Sequence, residues 1–186
     1  MENASKALII AGEILIGIAI LSLASYIFIQ FGTFSSNLNT QISETSITQF
    51  NVHFTNYSEK ANISAQDVAS VINFANKSNT DYEAQKGDAF FVDVCIDGTS
   101  VLNTNINEFL KNNQNFYYCN LRGINNNNIE IKEEENKVSI KAQVDTSDIE
   151  YNEETGQVSK INFHVINNSA YSNALLSGLN VEIIRQ

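Results

Sequence analysis

From Ala7 to Phe31 the chain reads ALIIAGEILIGIAILSLASYIFIQF, with Glu13 as its one charged residue. As a helix, the run Ala7–Ile29 spans roughly 34 Å at about 1.5 Å per residue. That crosses a hydrocarbon core of about 30 Å. A helix that packs in the core of a soluble domain carries a polar stripe on its outer side, and this run has none. Residues 1–32 therefore read as a transmembrane helix, and whatever follows folds in water.

Lys6 precedes the run, and no Lys or Arg follows until Lys60. The positive-inside tendency puts the N-terminus in the cytoplasm and the C-terminal bulk outside, as in a single-pass protein of the cell membrane. A cleaved secretory signal is the rival reading, because Ser22-Leu23-Ala24 has the small-x-small form of a cleavage site. The apolar run continues past it through Tyr26-Ile27-Phe28-Ile29, as an anchor does.

The chain has 186 residues, enough for this segment and one domain with a core of its own. It carries 21 acidic and 11 basic residues, a net charge of -10. Such a surface repels phosphate backbones, so no nucleic-acid partner is expected. Asn is abundant while Pro and Trp are absent, which fits the codon bias of an AT-rich genome. Asn is discounted on that ground as a functional signal, together with the triplets Asn56-Tyr57-Ser58, Asn62-Ile63-Ser64 and Asn167-Asn168-Ser169.

Beyond the bilayer, Phe34, Leu38 and Ile42 recur at i, i+4, and Ile47, Phe50 and Phe54 continue an apolar face. The spacing predicts an amphipathic extension over 33–60, part of one helix from about Asn3 to Phe50, with Gly32 as the place where it would bend. Residues 61–186 read as a globular α+β domain. Ser64 opens a second helix with a capping-box pattern, Ser64 to Asp67, and Val68, Val71, Ile72 and Ala75 share a face. Asn76 to Gly87 reads as a loop. Strands are expected at Ala89–Ile96, Asn115–Leu121, Asn128–Lys132, Lys137–Val144, Asp148–Tyr151, Gln157–Ile166 and Gly178–Arg185, with a short helix at Thr104–Leu110. Alternation is clearest at Val138, Ile140, Ala142, Val144 and at Ile161, Phe163, Val165. The fold class is α+β: a long N-terminal helix packed on a C-terminal antiparallel sheet.

Nothing in the pattern carries catalysis. His53 and His164 are far apart, and His164 is expected on the outer, solvent-facing side of a strand. The chain lacks G-x-S-x-G, P-loop and H-E-x-x-H patterns. Glu133–Glu135 lacks the ligand spacing of a calcium loop. No enzyme, metal or cofactor is expected. Cys95 and Cys119 fall in two predicted strands. If those strands are adjacent, a disulfide closes a loop that stabilises by roughly 3 kcal/mol in the chain-entropy model. Buried free thiols are the alternative.

Two features of the apolar run point to helix packing. Glu13 is costly in hydrocarbon, by about 2.5–3.5 kcal/mol for comparable charged groups on insertion scales, unless it is neutralised or paired. Ala4, Ala7, Ala11, Ser22 and Ser25 fall in one narrow arc, and small residues let helices approach closely.

A long apolar N-terminal helix with one early glutamate, a polar extension and a β-rich C-terminal domain resembles type IV pilins and pilin-like proteins, including the pseudopilins of type II secretion. The opening Glu2 to Ile9 and the segment Asp67–Asn73 are also similar to short membrane-anchored proteins of low-GC Gram-positive bacteria. The resemblance covers roughly the first 80 residues. It implies a subunit that waits in the membrane and then joins a helical homo-oligomeric filament, with Glu13 pairing with the N-terminal amine of the next copy. Counting back from Glu13 on the family's spacing puts a mature start at Ile9, after Leu8, where the family has glycine. The alternative is a single-pass surface or secretion-accessory protein that displays a binding domain.

Overall fold

A computed structural model describes residues 2–185, with the side chains of residues 34–43 and 112 outside the description. The chain divides into two compact units, Met1–Ser46 and Ile47–Gln186.

The first unit is built from helix α1, Glu2–Thr55, whose last turns belong to the second unit. The helix continues through Gly32 and runs beyond Phe50. Of the predicted apolar stripe, Phe34, Leu38 and Ile42 lie outside the described residues.

The second unit adds, in chain order, β1 (Lys60–Ser64), α2 (Ala65–Asp81), β2 (Asp93–Ile96), β3 (Thr99–Ser100), α3 (Ile106–Asn112), β4 (Phe116–Cys119) and β5 (Leu121–Arg122). There follow β6 (Ile129–Lys132), β7 (Lys137–Val144), β8 (Ile149–Tyr151), β9 (Val158–Ile166), α4 (Ser169–Leu176) and β10 (Asn180–Arg185). Two sheets result. The larger has the order β1-β4-β9-β2-β3, with β8 also on β9; the smaller has the order β10-β7-β5, with β6 also on β7.

The α+β class expected from the sequence holds, and most pairings are antiparallel. Two are parallel: β2 with β9 and β7 with β10. Alternation within a strand reports which face is buried but not the direction of its neighbour, so the two parallel pairings carry no local signal.

The core forms where the apolar faces converge. Val68, Val71, Ile72 and Ala75 of α2 pack with Phe54 of α1 and with Val94, Tyr117, Ile161 and Phe163 of the large sheet. Val138, Ile140 and Ala142 of β7 meet Tyr171 and Ala174 of α4, with Val181 and Ile183 of β10 partly buried against them. Val144, expected inward, is exposed at the end of its strand. The capping box closes as read: the Asp67 amide donates to Ser64 Oγ, and the Ser64 amide donates to the Asp67 carboxylate. In the last turns of α1, Asn51 Nδ2 donates to the Gly156 carbonyl and Asn51 Oδ1 accepts from the Val158 amide, which ties the helix to the β8–β9 turn.

Several boundaries differ from the sequence reading, and asparagine is behind most of them. Helix α2 runs on through Asn76 to Asp81, where a loop was expected. The side chains of Asn76 and Asn79 point at neighbouring main chain: Asn76 Nδ2 donates to the Leu102 carbonyl, and Asn79 pairs with both the amide and the carbonyl of Val92. That pairing takes up the hydrogen bonds of Val92, so β2 starts at Asp93 and not at Ala89. The strand expected over Asn115–Leu121 breaks at Asn120, which adopts φ 54°, and the chain passes there from the large sheet to the small one. The positive-φ pair Asp97-Gly98 makes the tight turn of the β2–β3 hairpin, a conformation that Asp-Gly adopts readily. Strands β1 and β3 and helix α4 were not foreseen; α4 is capped by Asn168, which accepts from the Tyr171 amide.

Candidate functional site

The residues expected to act in assembly all lie on α1. Within Glu2–Thr33 an 18-residue window of the helix reaches a mean hydropathy of 2.5, and none of that window is buried. Leu8, Ile14, Leu21, Phe28 and Phe31 are among the apolar side chains it exposes, and they occur on every side of the axis. This is one helix long and apolar enough to cross a bilayer, as a membrane anchor or as a signal sequence.

At about 100° per residue, Ala4, Ala7, Ala11, Ser22 and Ser25 fall within about 60° of one another around the axis. Glu13 falls about 150° from the middle of that arc, so the carboxylate and the small face point to opposite sides. Ser22 and Ser25 donate to the carbonyls of Ile18 and Leu21 within the helix, so neither hydroxyl brings an unsatisfied donor into an apolar setting. Lys6, the nearest cation in sequence, is 3.0 Å from Glu2. Among the described residues Glu13 has no ion-pair partner. Comparison with protein-family models, with curated proteins and with solved structures finds no match. The reading of α1 therefore rests on its own residues.

The expected disulfide is not present: Cys95 and Cys119 are buried free thiols. Their strands β2 and β4 are not adjacent, because β9 runs between them. Two strand spacings are about 10 Å, beyond the roughly 7 Å that a disulfide spans between Cα atoms. The faces differ as well. Cys95 is level with Asn162 of β9, and Tyr118, the residue before Cys119, is level with His164. Asn162 and His164 share a face, so Cys95 lies on that face and Cys119 on the opposite one. Burial raises both thiol pKa values, with Asp93 adding to the effect at Cys95 and Asp148 at Cys119. Both groups are thereby held as unreactive thiols near neutral pH.

His164 does lie on the outer face of β9, but it is not simply solvent-facing. Its Nδ1 is 3.1 Å from Asp97 in the hairpin turn, and its Nε2 is 2.9 Å from Asp148 and 3.1 Å from Asn162 Nδ2. The ring stacks on Tyr118 at 5.0 Å. Asp148 is itself buried and accepts a 2.6 Å hydrogen bond from the Asn120 amide. Among the described residues no group of His, Cys, Asp and Glu is arranged to hold a metal ion. The sequence carried no signal for the His164 cluster, because its members come from four separate segments. The other histidine, His53, is exposed and stacks on Phe74 at 3.9 Å.

Proposed function

We propose that this protein is a structural subunit of a pilus-like surface filament, assembled through the packing of its N-terminal helix. The observation that carries the reading is the placement of Glu13 opposite the small-residue face on a helical segment, Glu2–Thr33, whose apolar window has no buried residue. A helix with two unlike faces bonds head to tail, one face of each copy against the other face of the next. Such heterologous contacts generate open helical arrays wherever the rotation between copies does not close into a ring. In lipid, Glu13 is destabilising by a few kcal/mol unless neutralised. In a bundle of copies, the N-terminal amine of a neighbour neutralises it and fixes the register. Close contact across the Ala and Ser face supplies the remaining packing. The C-terminal unit is then displayed outside the cell.

A second reading is a permanent single-pass anchor that displays the globular unit. It is favoured by Leu8 before Ile9, where the pilin-like pattern has glycine at the processing site.

The test is electron microscopy of material sheared from the native cells, with mass spectrometry of the mature N-terminus, for the unaltered chain and for Glu13→Ala. The proposal expects filaments from the former. The variant should remain in the membrane and form no ordered filaments. Normal filaments from the variant overturn the role of Glu13, and a mature N-terminus at Ser25 removes the helix and with it both readings.

A further inference from the structure

Both ring nitrogens of His164 face a carboxylate oxygen. Nδ1 lies 3.1 Å from Asp97 Oδ1, and Nε2 lies 2.9 Å from Asp148 Oδ1. An ionised carboxylate accepts and does not donate, so each contact is a hydrogen bond only if that nitrogen carries a proton. The imidazolium has a proton on both nitrogens and serves both carboxylates at once. The neutral ring has one proton, and leaves one carboxylate opposite a bare nitrogen lone pair.

Burial decides which contact the neutral ring keeps. The Asp148 side chain is 8% exposed and the Asp97 side chain 57%. Asp148 is also fixed in place: its other oxygen accepts from the Asn120 amide at 2.6 Å, and its own amide donates to Asn120 Oδ1 at 3.1 Å. Losing a donor costs the buried carboxylate more, because Asp97 can turn into water and Asp148 cannot. Asn162 favours the opposite tautomer. Its Oδ1 accepts from the Gly98 amide at 2.9 Å, which brings Nδ2 to 3.1 Å from Nε2. That neutral bond is about half as strong as a charge-assisted one to Asp148. The other titratable groups around the ring keep their charge state through neutral pH. Tyr118 of β4 stacks on it, and burial pushes that hydroxyl up, with Asp97 and Asp148 adding to the effect. Asp145, in the segment that leads into β8, is held low by hydrogen bonds from Ser147, and Arg122 lowers it further.

We propose that His164 is a proton-operated clasp on the β2–β3 turn. As the imidazolium it bridges Asp97 and Asp148; as the neutral ring it keeps Asp148 and releases Asp97. Asp97 and Gly98 are the two positive-φ residues of that turn, so the contact that opens is one that holds its tip. The Asp97 amide still donates to the Phe163 carbonyl at 2.8 Å, so the turn loosens while β2 stays paired with β9. The direction follows from the proton count: the turn is held at the acid end of the neutral range and freed as pH rises. The inference does not depend on filament assembly.

The experiment follows the isotope-labelled full chain in phospholipid nanodiscs by NMR from about pH 5 to about pH 8. Long-range proton–nitrogen spectra of the imidazole read its charge and tautomer. Amide exchange at Asp97 and Gly98, corrected for its intrinsic pH dependence, reads the turn. The same measurements are made on Asp97→Asn, an exposed substitution whose new side chain also tolerates positive φ. The proposal expects the neutral ring to carry its proton on Nε2. Protection at the turn should fall roughly two- to fivefold with the midpoint of the ring's titration, the scale of an exposed charged contact, while amides of β7 in the other sheet do not change. In Asp97→Asn the ring should still titrate and the turn's protection should no longer follow it. The proposal is overturned if the ring does not titrate in this range, if the neutral ring carries its proton on Nδ1, if protection at the turn is constant or changes with a different midpoint, or if Asp97→Asn keeps the pH-dependent protection.

Discussion

His164 Nε2 lies 2.9 Å from Oδ1 of Asp148, a carboxylate that is almost fully buried. The other nitrogen of the same ring lies 3.1 Å from Asp97, which is largely exposed. One imidazole therefore joins the hairpin turn of β2–β3 to the segment that leads into β8. The two contacts differ in what they stabilise. Losing the partner of a buried carboxylate leaves it poorly compensated, whereas an exposed ion pair contributes little. His164→Phe should destabilise the globular unit by about 1–3 kcal/mol, while Asp97→Asn should cost less than about 1 kcal/mol. Urea unfolding of the full chain in nanodiscs, followed by near-ultraviolet circular dichroism, checks this order; equal losses would refute it.

Cys95 and Cys119 should behave as two inert thiols. A thiol-reactive disulfide reagent is expected to label neither in the folded protein and both after denaturation. Reductant should change neither mass nor mobility. Burial is the first cause of the raised pKa at both, from an ordinary value near 9.0. A group whose folded pKa is raised contributes stability that is complete below its unfolded value and lost as pH climbs through the folded one. The thiols therefore weaken the fold only above about pH 9, and Cys119→Ala should flatten that alkaline decline. Labelling of the native protein at neutral pH would contradict the assignment.

Tyr171 is fully buried and its hydroxyl donates to the Ala61 carbonyl at 2.7 Å, joining α4 to β1. Tyr171→Phe keeps the ring in the core and strands a buried acceptor. The expected loss is about 1–3 kcal/mol, well above that for a surface substitution. A change within about 0.5 kcal/mol in thermal or urea unfolding would mean that water replaces the bond.

The elements that the sequence disclosed are those with a local physical signature. Hydropathy alone marked the exposed half of α1. The Ser64–Asp67 box marked the start of α2. Period-two alternation marked β7 and β9. The missed features depend on partners distant in sequence. Asparagine was set aside as a compositional accident, yet Asn168 caps α4, Asn105 caps α3, Asn79 fixes where β2 begins, and Asn120 turns the chain between sheets. A side chain common for genomic reasons is still available for any local cap or bridge the fold requires. The cysteines show the same limit from the other side. Each was rightly placed in a strand, but only topology reveals that β9 separates them.

That intervening strand has a consequence for when the domain can form. β9 is the middle of the larger sheet, yet it is supplied by residues 158–166, late in the chain. Strands β2 and β4 are made first and must wait with bare edges until it arrives. The smaller sheet likewise ends with β10, the last element of all. Pairings this distant in sequence are slow to close. A chain emerging N-terminus first thus has its helix complete long before its sheets, which close only once residues 158–185 have emerged.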